Sequence, residues 1–345
     1  MNILCLVYDN PSGSLVWRCV YPLKYLSENN LNVSVKFYDI PYAKELSNEE
    51  LKQFHAAVFH SSYFDILFIQ RLQNLGIKII TDFDDYWVLP KTHEFYQERK
   101  KAGTLNIKKE LLQISDAFTT TNYKLYNIIK NYRKPVKVIP NAFDFSIHTI
   151  KPIIKDIMPR ISNRLIFSYF GASNHINDLY QIRGIMSLNL DFELRFYMYP
   201  DKNELKKIIK LLYNNTHISD NRLKFYPPED AYNYLKFYND IDIVIAPLEE
   251  NNWNSYKSEL KLIEAGFFSK PVICSLNSIY KPIMQKGNFG FMANSYHGWL
   301  TAFKHYIQNP QFINEHGTNL NKYITENFHL KNWSEIRYNF YNTLN

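Results

Sequence analysis

The sequence predicts an α/β protein built from two doubly wound domains that face a common cleft. The chain has 345 residues, which suits two domains of ordinary size, each with its own core. Short apolar runs alternate with helix-like stretches through both halves, as they do in parallel sheets covered by helices. A polar stretch with two prolines, residues 148–163, separates the halves and is predicted to be the linker.

The strand-like runs place a first domain at residues 1–150 and a second at residues 151–325. In the first domain these runs are Asn2–Tyr8, Val33–Phe37, Ala57–His60, Lys78–Thr81, Ala117–Thr121 and Val136–Ile139. In the second they are Leu165–Phe170, Phe192–Tyr197, Leu223–Tyr226, Ile241–Ala246 and Pro271–Ser275. After Tyr296 the pattern is helical, and residues 326–345 are predicted to form a C-terminal helix.

Composition narrows the class of protein. Hydrophobic residues make up 46% of the chain, which indicates a fully folded protein, and no apolar run approaches the ~20 residues of a membrane span. The N-terminus lacks a signal peptide's basic start, and three cysteines without metal spacing suit a reducing compartment. We therefore expect a cytoplasmic protein. The formal charge of +7 suits nucleotide diphosphates, and also a peripheral membrane surface or nucleic acid contacted through basic residues.

The first strand leads into a turn-rich loop and then a helix from about Leu15 to Glu28. This loop has a single glycine, Gly13, and so lacks the fingerprint of a dinucleotide-binding enzyme, which argues against an NAD enzyme. Gly13 and Arg18 are the residues of this opening that we expect near a ligand, with a surface position as the alternative for Arg18.

An acidic loop follows the strand at Lys78–Thr81. It contains Asp82, Asp84 and Asp85, and His93 lies just beyond it. Because ligands gather at the carboxyl ends of parallel strands, we expect this loop at the cleft, where a carboxylate suits a general base. Asp82 is the first choice because it directly follows the strand, with the other two next, and His93 is expected to reach the acceptor from the following helix. A solvated loop and a helix cap are the alternatives.

A second polar loop follows the strand that ends at Pro247. It leads into a predicted helix, Ser255–Gly266, for which Asn254 or Ser255 is the expected cap. Gly266 is predicted to end the helix. This strand–loop–helix unit is predicted to hold the main ligand site.

The start of that helix has the chemistry of an anion site. Free N–H groups, Lys257 and the Ser258 hydroxyl suit a phosphate. Two turns on, Glu264 is placed to accept hydrogen bonds from a ribose diol. The alternative is an ordinary helix on whose surface Lys261 and Glu264 form an exposed pair.

The strand Leu165–Phe170 ends in Gly171, which lets backbone approach a phosphate or a sugar closely. Ser173 and His175 follow in the same loop and are candidate ligand residues. For the histidine, a capping or surface role is the alternative.

Residues 241–275 resemble the donor-binding segment of the GT-B glycosyltransferases, in the retaining branch called family four or glycosyl transferases group 1. The shared pattern is an apolar strand, Ala-Pro-Leu, an Asn-rich loop, Lys-Ser, Lys-x-x-Glu-(small)-Gly and a strand of the type Lys-Pro-Val-Ile-Cys-Ser. Residues 114–144 resemble a second signature, in which Ala142 replaces the family's glycine. The family's acidic residue eight positions before Glu264 is Tyr256 here.

The resemblance implies two Rossmann-like domains and a C-terminal helix that crosses back to the first domain. It implies a nucleotide sugar, such as a UDP-sugar, as co-substrate, with no further cofactor and no catalytic metal. The donor is expected mainly on the second domain, and the acceptor on the first. The expected donor-binding residues are Gly171, Ser173, His175, Pro247, Asn254, Lys257, Ser258 and Glu264, with Glu264 on the ribose and the two residues at the helix start facing the diphosphate.

The acceptor stays open at this point. A glycan or lipid-linked glycan hydroxyl is the default. A modified base in DNA is the alternative, because the acidic loop is similar to the acceptor-side loop of phage DNA β-glucosyltransferases. A second alternative is an inactive module that keeps the fold and binds nucleotide sugar without turnover.

Overall fold

The computed structural model describes residues 1–8, 11–62, 65–91, 93, 95–145, 163–171, 173–198, 200–214, 221–227 and 229–344, without the side chains of residues 173 and 174. The predicted linker lies outside the described residues except for its last position, so the domain boundaries stay predictions. Within the described residues, no helix is both long enough and apolar enough to cross a membrane.

Two six-stranded parallel sheets form the framework, which confirms the predicted fold class. The first has the order β2-β1-β3-β4-β5-β6, with β1 Asn2–Val7, β2 Ser34–Asp39, β3 Ala56–His60, β4 Lys78–Phe83, β5 Ala117–Thr120 and β6 Val136–Val138. The second has the order β12-β11-β10-β7-β8-β9, with β7 Leu165–Phe170, β8 Phe192–Tyr197, β9 Leu223–Tyr226, β10 Ile243–Ala246, β11 Val272–Ser275 and β12 Gly290–Ala293.

Strand order reverses once in each sheet, between β1 and β3 in the first and between β7 and β10 in the second. Such switch points open a crevice at the carboxyl ends of the strands, which is where doubly wound proteins bind ligands. The eleven predicted strands are present, and β12 was missed. Its four residues are apolar but begin with Gly290, a residue that is uncommon inside strands. A Cβ there would overlap the Val272 carbonyl group, so the close approach of the neighbouring strand favours glycine.

Helices cover both sheets. The α-helices are Gly13–Leu15, Tyr21–Asn29, Ile40–Glu45, Asn48–Leu51, Ile66–Asn74, Tyr96–Lys101, Thr104–Ile114, Tyr123–Ile129, Lys202–Leu212, Leu260–Phe267, Lys281–Met284, Tyr296–Gln308, Gln311–Asn327 and Leu330–Asn342. The 3₁₀ segments are Lys130–Tyr132, Ser173–Ile182, Ile185–Ser187, Tyr234–Asp240 and Asn254–Tyr256. A π turn, Val16–Val20, interrupts the first helix.

The last helix crosses back to the first domain, as predicted. Leu330–Asn342 packs on Tyr21–Asn29, and its Tyr341 is buried in one core cluster with Ile3 and Cys5 of β1. Just before it, the chain is tied to Phe143 of the first domain by two backbone hydrogen bonds of 2.8 Å. The apolar contacts and these bonds hold the C-terminal segment on the first domain.

Two expected helix starts were wrong. The helix predicted from Ser255 begins at Leu260, because Asn254–Tyr256 forms a 3₁₀ turn and Lys257 is extended at its end. The side chain of Asn251 accepts from the N–H of Asn254 in that turn. Asn254 Oδ1 accepts no hydrogen bond from the described residues, so Asn254 is not a helix cap. The lysine is therefore not in the first turn of the helix.

The other error concerns the acidic loop. The helix that follows it begins at Tyr96, so His93 lies in the preceding turn rather than one turn inside the helix. Gly266 also lies inside its helix, Leu260–Phe267, instead of ending it. A Cβ there would come within 2.5 Å of Ile324, so this glycine permits close packing on the Gln311–Asn327 helix.

A buried ion pair ties the first helix to the sheet. Arg18, in the π turn, donates from Nε and Nη2 to the two carboxylate oxygens of Asp82 at 2.8 and 2.9 Å. The arginine is 1% exposed and the aspartate 0%, and the Thr119 hydroxyl donates to the same carboxylate. The surface alternative for Arg18 is therefore wrong. Because each charge is desolvated, each depends on the other.

Asp82→Asn is expected to lower the free energy of unfolding by about 3–5 kcal/mol, since it leaves a buried guanidinium without its carboxylate. Asp191→Asn is the matched control, because Asp191 also pairs with an arginine, Arg164, but its side chain is 76% exposed. Its expected cost is below about 1 kcal/mol. Chemical denaturation followed by circular dichroism measures both, and equal losses would contradict a specific role for the buried pair.

Gly317→Ala is expected to destabilise the protein by about 1–3 kcal/mol, although alanine is normally the better helix former. Gly317 lies in the Gln311–Asn327 helix, and a Cβ there would overlap the Ser269 carbonyl. Gly13→Ala is the control, because a Cβ at Gly13 meets no atom within 4 Å among the described residues. A neutral or stabilising Gly317→Ala in thermal denaturation would contradict the observed packing between these segments.

Candidate functional site

A cavity of about 240 Å³ lies between the two sheets at the carboxyl ends of their strands. We call it the cleft cavity. The first domain contributes Ser14, Trp17, Arg18, Asp84, Asp85 and Asn141, and the second contributes Tyr169, Phe170, Gly171, His175, Asp178, Ile245, Ala246, Pro247, Leu248, Lys257, Ser258, Leu260, Lys261 and Tyr280. Both switch points therefore open onto one space, and sequence-predicted residues from both domains meet there.

Two lysines of the second domain give this cavity a cationic wall. Lys257 Nζ lies 3.7 Å from an oxygen of Asp85 and 4.3 Å from the centre of the Trp253 ring, with 18% of its side chain exposed. Lys261, one helical turn further on, also lines the cavity. The extended backbone at Lys257, rather than a helix N-terminus, aims the first of these cations across the cleft at the first domain.

Glu264 lies behind that wall. It is 0% exposed, and it accepts hydrogen bonds from the hydroxyls of Tyr234 and Tyr238 and from Lys261 Nζ, at 2.8 Å for the lysine. Glu264 does not line the cleft cavity. It affects that space indirectly, because it holds the ammonium group of Lys261, which does line the cavity. The idea of an exposed surface pair is wrong, since one member is fully buried. The predicted contact with a ribose is untested.

The π turn of the first domain reaches the second domain through two adjacent side chains. Trp17 Nε1 donates to the Tyr234 hydroxyl at 2.9 Å, and that hydroxyl in turn donates to Glu264. Arg18 Nη1 donates to Asn141, whose Nδ2 donates to the Ser258 hydroxyl at 2.9 Å. Of the predicted donor-binding residues, Ser258 is thus hydrogen-bonded directly to the first domain, and Glu264 is connected to it through Tyr234.

The three aspartates of the acidic loop have three different environments. Asp82 is sealed behind the cavity wall by Arg18. Asp84 accepts from His60 Nε2 at 3.0 Å, since an ionised carboxylate can only accept. Asp85 lies at the cleft with 47% of its side chain exposed. The position directly at the strand end is therefore the least accessible of the three, contrary to our first choice of general base.

Asp84 and Asp85 both line the cleft cavity, and their pKa values are displaced in opposite directions. Burial alone would raise the pKa of Asp84, but His60, a hydrogen bond from Ser14 and the charge of Arg18 outweigh it and hold that pKa below its usual range. At Asp85, crowding by protein and the like charge of Asp84 raise the pKa above its usual range despite Lys257. Solvent moderates the second shift, because nearly half of the side chain is exposed.

The loop after β7 is organised by Asp178. Its carboxylate accepts from the backbone N–H of Glu249 at 2.7 Å and from Asn254 Nδ2 at 3.1 Å, and it lies 2.9 Å from His175 Nδ1. Gly171 lines the cavity, and a Cβ at that position would overlap the Tyr169 ring, so a larger residue there would displace that ring. Asp178 was not among the predicted site residues, although it completes the pattern Gly-x-x-x-His-x-x-Asp-Leu that begins at Gly171.

Some predicted residues lie away from the cleft cavity or outside the description. Pro247 lines the cleft cavity, whereas Gly13 does not. Asn254 and His93 line a neighbouring cavity. Burial lowers the pKa of His93 to about 4, so this ring is neutral near pH 7. The Ser173 side chain is outside the described part.

Three residues that line the cleft cavity were not predicted, because no local pattern connects them with residues far along the chain. They are Trp17, Asn141 and Tyr280.

The sequence matches no known family model and no curated protein. Solved structures do match along nearly the whole chain. The Anabaena protein Alr3699/HepE, in complex with UDP and glucose, has 11% identity and a TM-score of 0.69, with 99% of this chain and 100% of that chain covered. Sucrose-phosphate synthase from Thermosynechococcus elongatus has 12% identity and a TM-score of 0.68, with 100% and 99% covered. A glycosyltransferase from Rickettsia africae has 15% identity and a TM-score of 0.68, with 99% and 98% covered.

A UDP-GlcNAc 2-epimerase from Neisseria meningitidis also matches, with 12% identity and a TM-score of 0.54 over 99% of each chain. None of these four structures is described as a DNA glycosyltransferase, so the phage-type likeness of the acidic loop finds no support here. Because transferases and an epimerase share the architecture, the fold does not fix the reaction. The chain has the GT-B fold.

Proposed function

We propose that the protein is a glycosyltransferase that moves a sugar from a nucleoside diphosphate donor, such as a UDP-sugar, to an acceptor hydroxyl. The observation that carries the proposal is the cleft cavity, which brings two lysines of one domain opposite carboxylates of the other. Such a reaction needs cations beside a leaving diphosphate and a group that handles the acceptor proton. The matching HepE structures, one with UDP and glucose and one with UDP-glucose, support this donor class.

In the proposed reaction Lys257 and Lys261 face the diphosphate. Charge accumulates on its terminal oxygens as the glycosidic bond breaks, and fixed cations in a partly enclosed space stabilise that charge. The diphosphate also competes with Asp85 for Lys257, since the charged atoms of these two side chains are 3.7 Å apart. Donor binding then places negative charge beside Asp85 and raises the pKa of that carboxyl further.

Asp85 is the proposed group at the acceptor hydroxyl. Asp82 is committed to Arg18, and Asp84 to His60, whereas Asp85 is accessible and has the raised pKa that suits a base. If the reaction inverts the anomeric carbon, Asp85 takes the acceptor proton. If it retains the configuration, Asp85 positions the acceptor instead. The glycan or lipid-linked acceptor is the default in either case.

Two rivals make different predictions. An inactive module would bind nucleotide sugar without turning it over, and an assay of donor hydrolysis separates it from an enzyme. A nucleotide-sugar epimerase, which the fold also supports, would change the sugar without any acceptor. Product analysis by NMR after incubation with UDP-glucose alone distinguishes epimerisation from transfer.

Glu264→Gln is expected to weaken UDP-glucose binding by about 1–3 kcal/mol, the size of a lost hydrogen bond to a charged group. Calorimetry with UDP-glucose and with its 2′-deoxyribose analogue then shows how the residue acts. A direct contact with that ribose hydroxyl predicts a smaller loss for the analogue, and action through Lys261 predicts equal losses. Tyr132→Phe, on a tyrosine far from the cavity, is the control. Unchanged affinity for UDP-glucose would contradict the proposed donor site.

Asp85→Asn is expected to reduce the transfer rate by about 10²-fold, because a general base contributes on this scale. Donor affinity should be unchanged or higher, since the substitution removes the charge that competes for Lys257. The wild-type rate should fall as pH decreases through the raised pKa of Asp85, since the base must be deprotonated, and the variant should lose this limb. Asp84→Asn is the matched control and should retain more activity than Asp85→Asn. Near wild-type rates in the Asp85 variant would exclude it as the base.

A further inference from the structure

We propose that a second cavity, beside the cleft cavity, binds the acceptor, and that this acceptor is a neutral or amine-bearing saccharide. The inference deepens the proposed function and rests on it. The cavity has a volume of about 580 Å³ and shares His175 and Asp178 with the cleft cavity. A molecule in it therefore lies next to the site proposed for the donor sugar. Apart from Pro90 and His93 its lining belongs to the second domain, so the proposal departs from the expectation of an acceptor mainly on the first domain. Asp85 lines the cleft cavity and not this one, so it would meet only an acceptor hydroxyl that extends past His175 and Asp178.

The charges on its walls define the class of ligand. Four carboxylates line the cavity, and one lysine opposes them. The carboxylates belong to Asp178, Asp201, Glu204 and Glu249, and the lysine is Lys207. A negative wall repels phosphate-bearing molecules and tolerates neutral ones, and it attracts amines. The negative charge of the lining therefore acts against a nucleic acid strand in this cavity.

Part of the negative charge also has a structural role. Asp201 and Glu204 form a capping box at the start of the Lys202–Leu212 helix. The backbone N–H groups of Glu204 and Asn203 lower the pKa of Asp201, so this carboxylate stays ionised at neutral pH. The capping role fixes the two carboxylates at the cavity edge without removing their charge.

The hydrogen-bonding groups of the cavity suit a polyhydroxylated ligand. Asn254 is 3% exposed, and its Oδ1 has no hydrogen-bond partner among the described residues. The same holds for Nε2 of His93, whose Nδ1 accepts from the backbone of Phe95. A buried polar atom without a partner is costly, and a sugar hydroxyl, which both donates and accepts, can satisfy either kind.

An exposed aromatic ring completes the wall. Tyr180 lines the cavity and is 55% exposed, so its ring offers an apolar face together with a polar hydroxyl. A saccharide has the same combination of apolar C–H faces and hydroxyls. We therefore expect a sugar ring of the acceptor to stack on the Tyr180 ring.

A different groove in the first domain suits an anionic acceptor and gives the rival outcome. Its lining includes Lys91, Arg99 and Lys100 around Trp87 and Leu105, and none of its lining residues among those described is acidic. This groove shares no residue with the cleft cavity, whereas the acidic cavity shares two. Continuity with the donor site thus favours the saccharide over a lipid phosphate or DNA.

The test uses the full chain saturated with UDP and measures ligand binding by saturation-transfer NMR. The probes are methyl β-glucoside as neutral saccharide, a glucosamine trimer as amine-bearing saccharide, and dodecyl phosphate as anion. Tyr180→Ala should weaken both saccharides about tenfold, a change of 1.4 kcal/mol. Tyr123→Ala is the matched control, since Tyr123 is 73% exposed and lies outside the acidic cavity.

A second variant isolates the charge. The double substitution Asp201→Asn with Glu204→Gln keeps side chains that can form the capping box and removes two negative charges. It should weaken the glucosamine trimer about tenfold and change the neutral glucoside little. Thermal denaturation of each variant verifies that the fold is kept.

Three results overturn the inference. They are saccharide binding that Tyr180→Ala leaves unchanged, no binding of either saccharide, and binding of dodecyl phosphate alone that is lost in Arg99→Ala. A separate titration with UDP-glucose tests the donor site. Failure of that titration contradicts the proposed function, whereas donor binding without the expected saccharide binding contradicts only the acceptor cavity.

Discussion

The buried pair of Arg18 and Asp82 is the interaction on which the arrangement of the site depends. It fixes a π turn of the first helix against the end of β4. An extra residue in a helical turn changes the direction of the side chains around it, and π turns recur at functional sites for that reason. Here the turn aims Trp17 at Tyr234 and lets Arg18 hold Asn141, so both adjacent residues extend hydrogen-bonded chains into the second domain.

Those chains link donor recognition to the relative position of the domains. One ends on Glu264, which holds Lys261, and the other ends on Ser258, next to Lys257. A shift of the first domain would disturb the partners of both cationic positions. The site therefore has its charges set from two sides, with cations from the second domain and carboxylates from the first.

Much of the fold could be predicted, because strands of parallel sheets are short apolar runs and helix-like stretches alternate with them, although the helix boundaries were less clear. For the site, the sequence predicted which segments lie at the cleft but not the contacts that their side chains make. Spacing placed Lys257, Gly171 and Asp85 near a common cleft, since strand ends meet there. Spacing could not show that Asp82 is buried by Arg18, because the pair is joined across 64 positions of sequence. Nor could it show the 3₁₀ turn before Leu260, in which the Asn251 side chain accepts from the N–H of Asn254.

A crystal structure of the protein with UDP-glucose tests the central claim most directly, namely that the cleft cavity is a nucleotide-sugar site set by both domains. We expect the diphosphate in contact with Lys257 and Lys261, and the glucose beside His175 with its anomeric carbon facing Asp85. The Arg18–Asp82 pair should be unchanged. A diphosphate bound elsewhere, or bound in the cleft without contact to either lysine, would contradict the account.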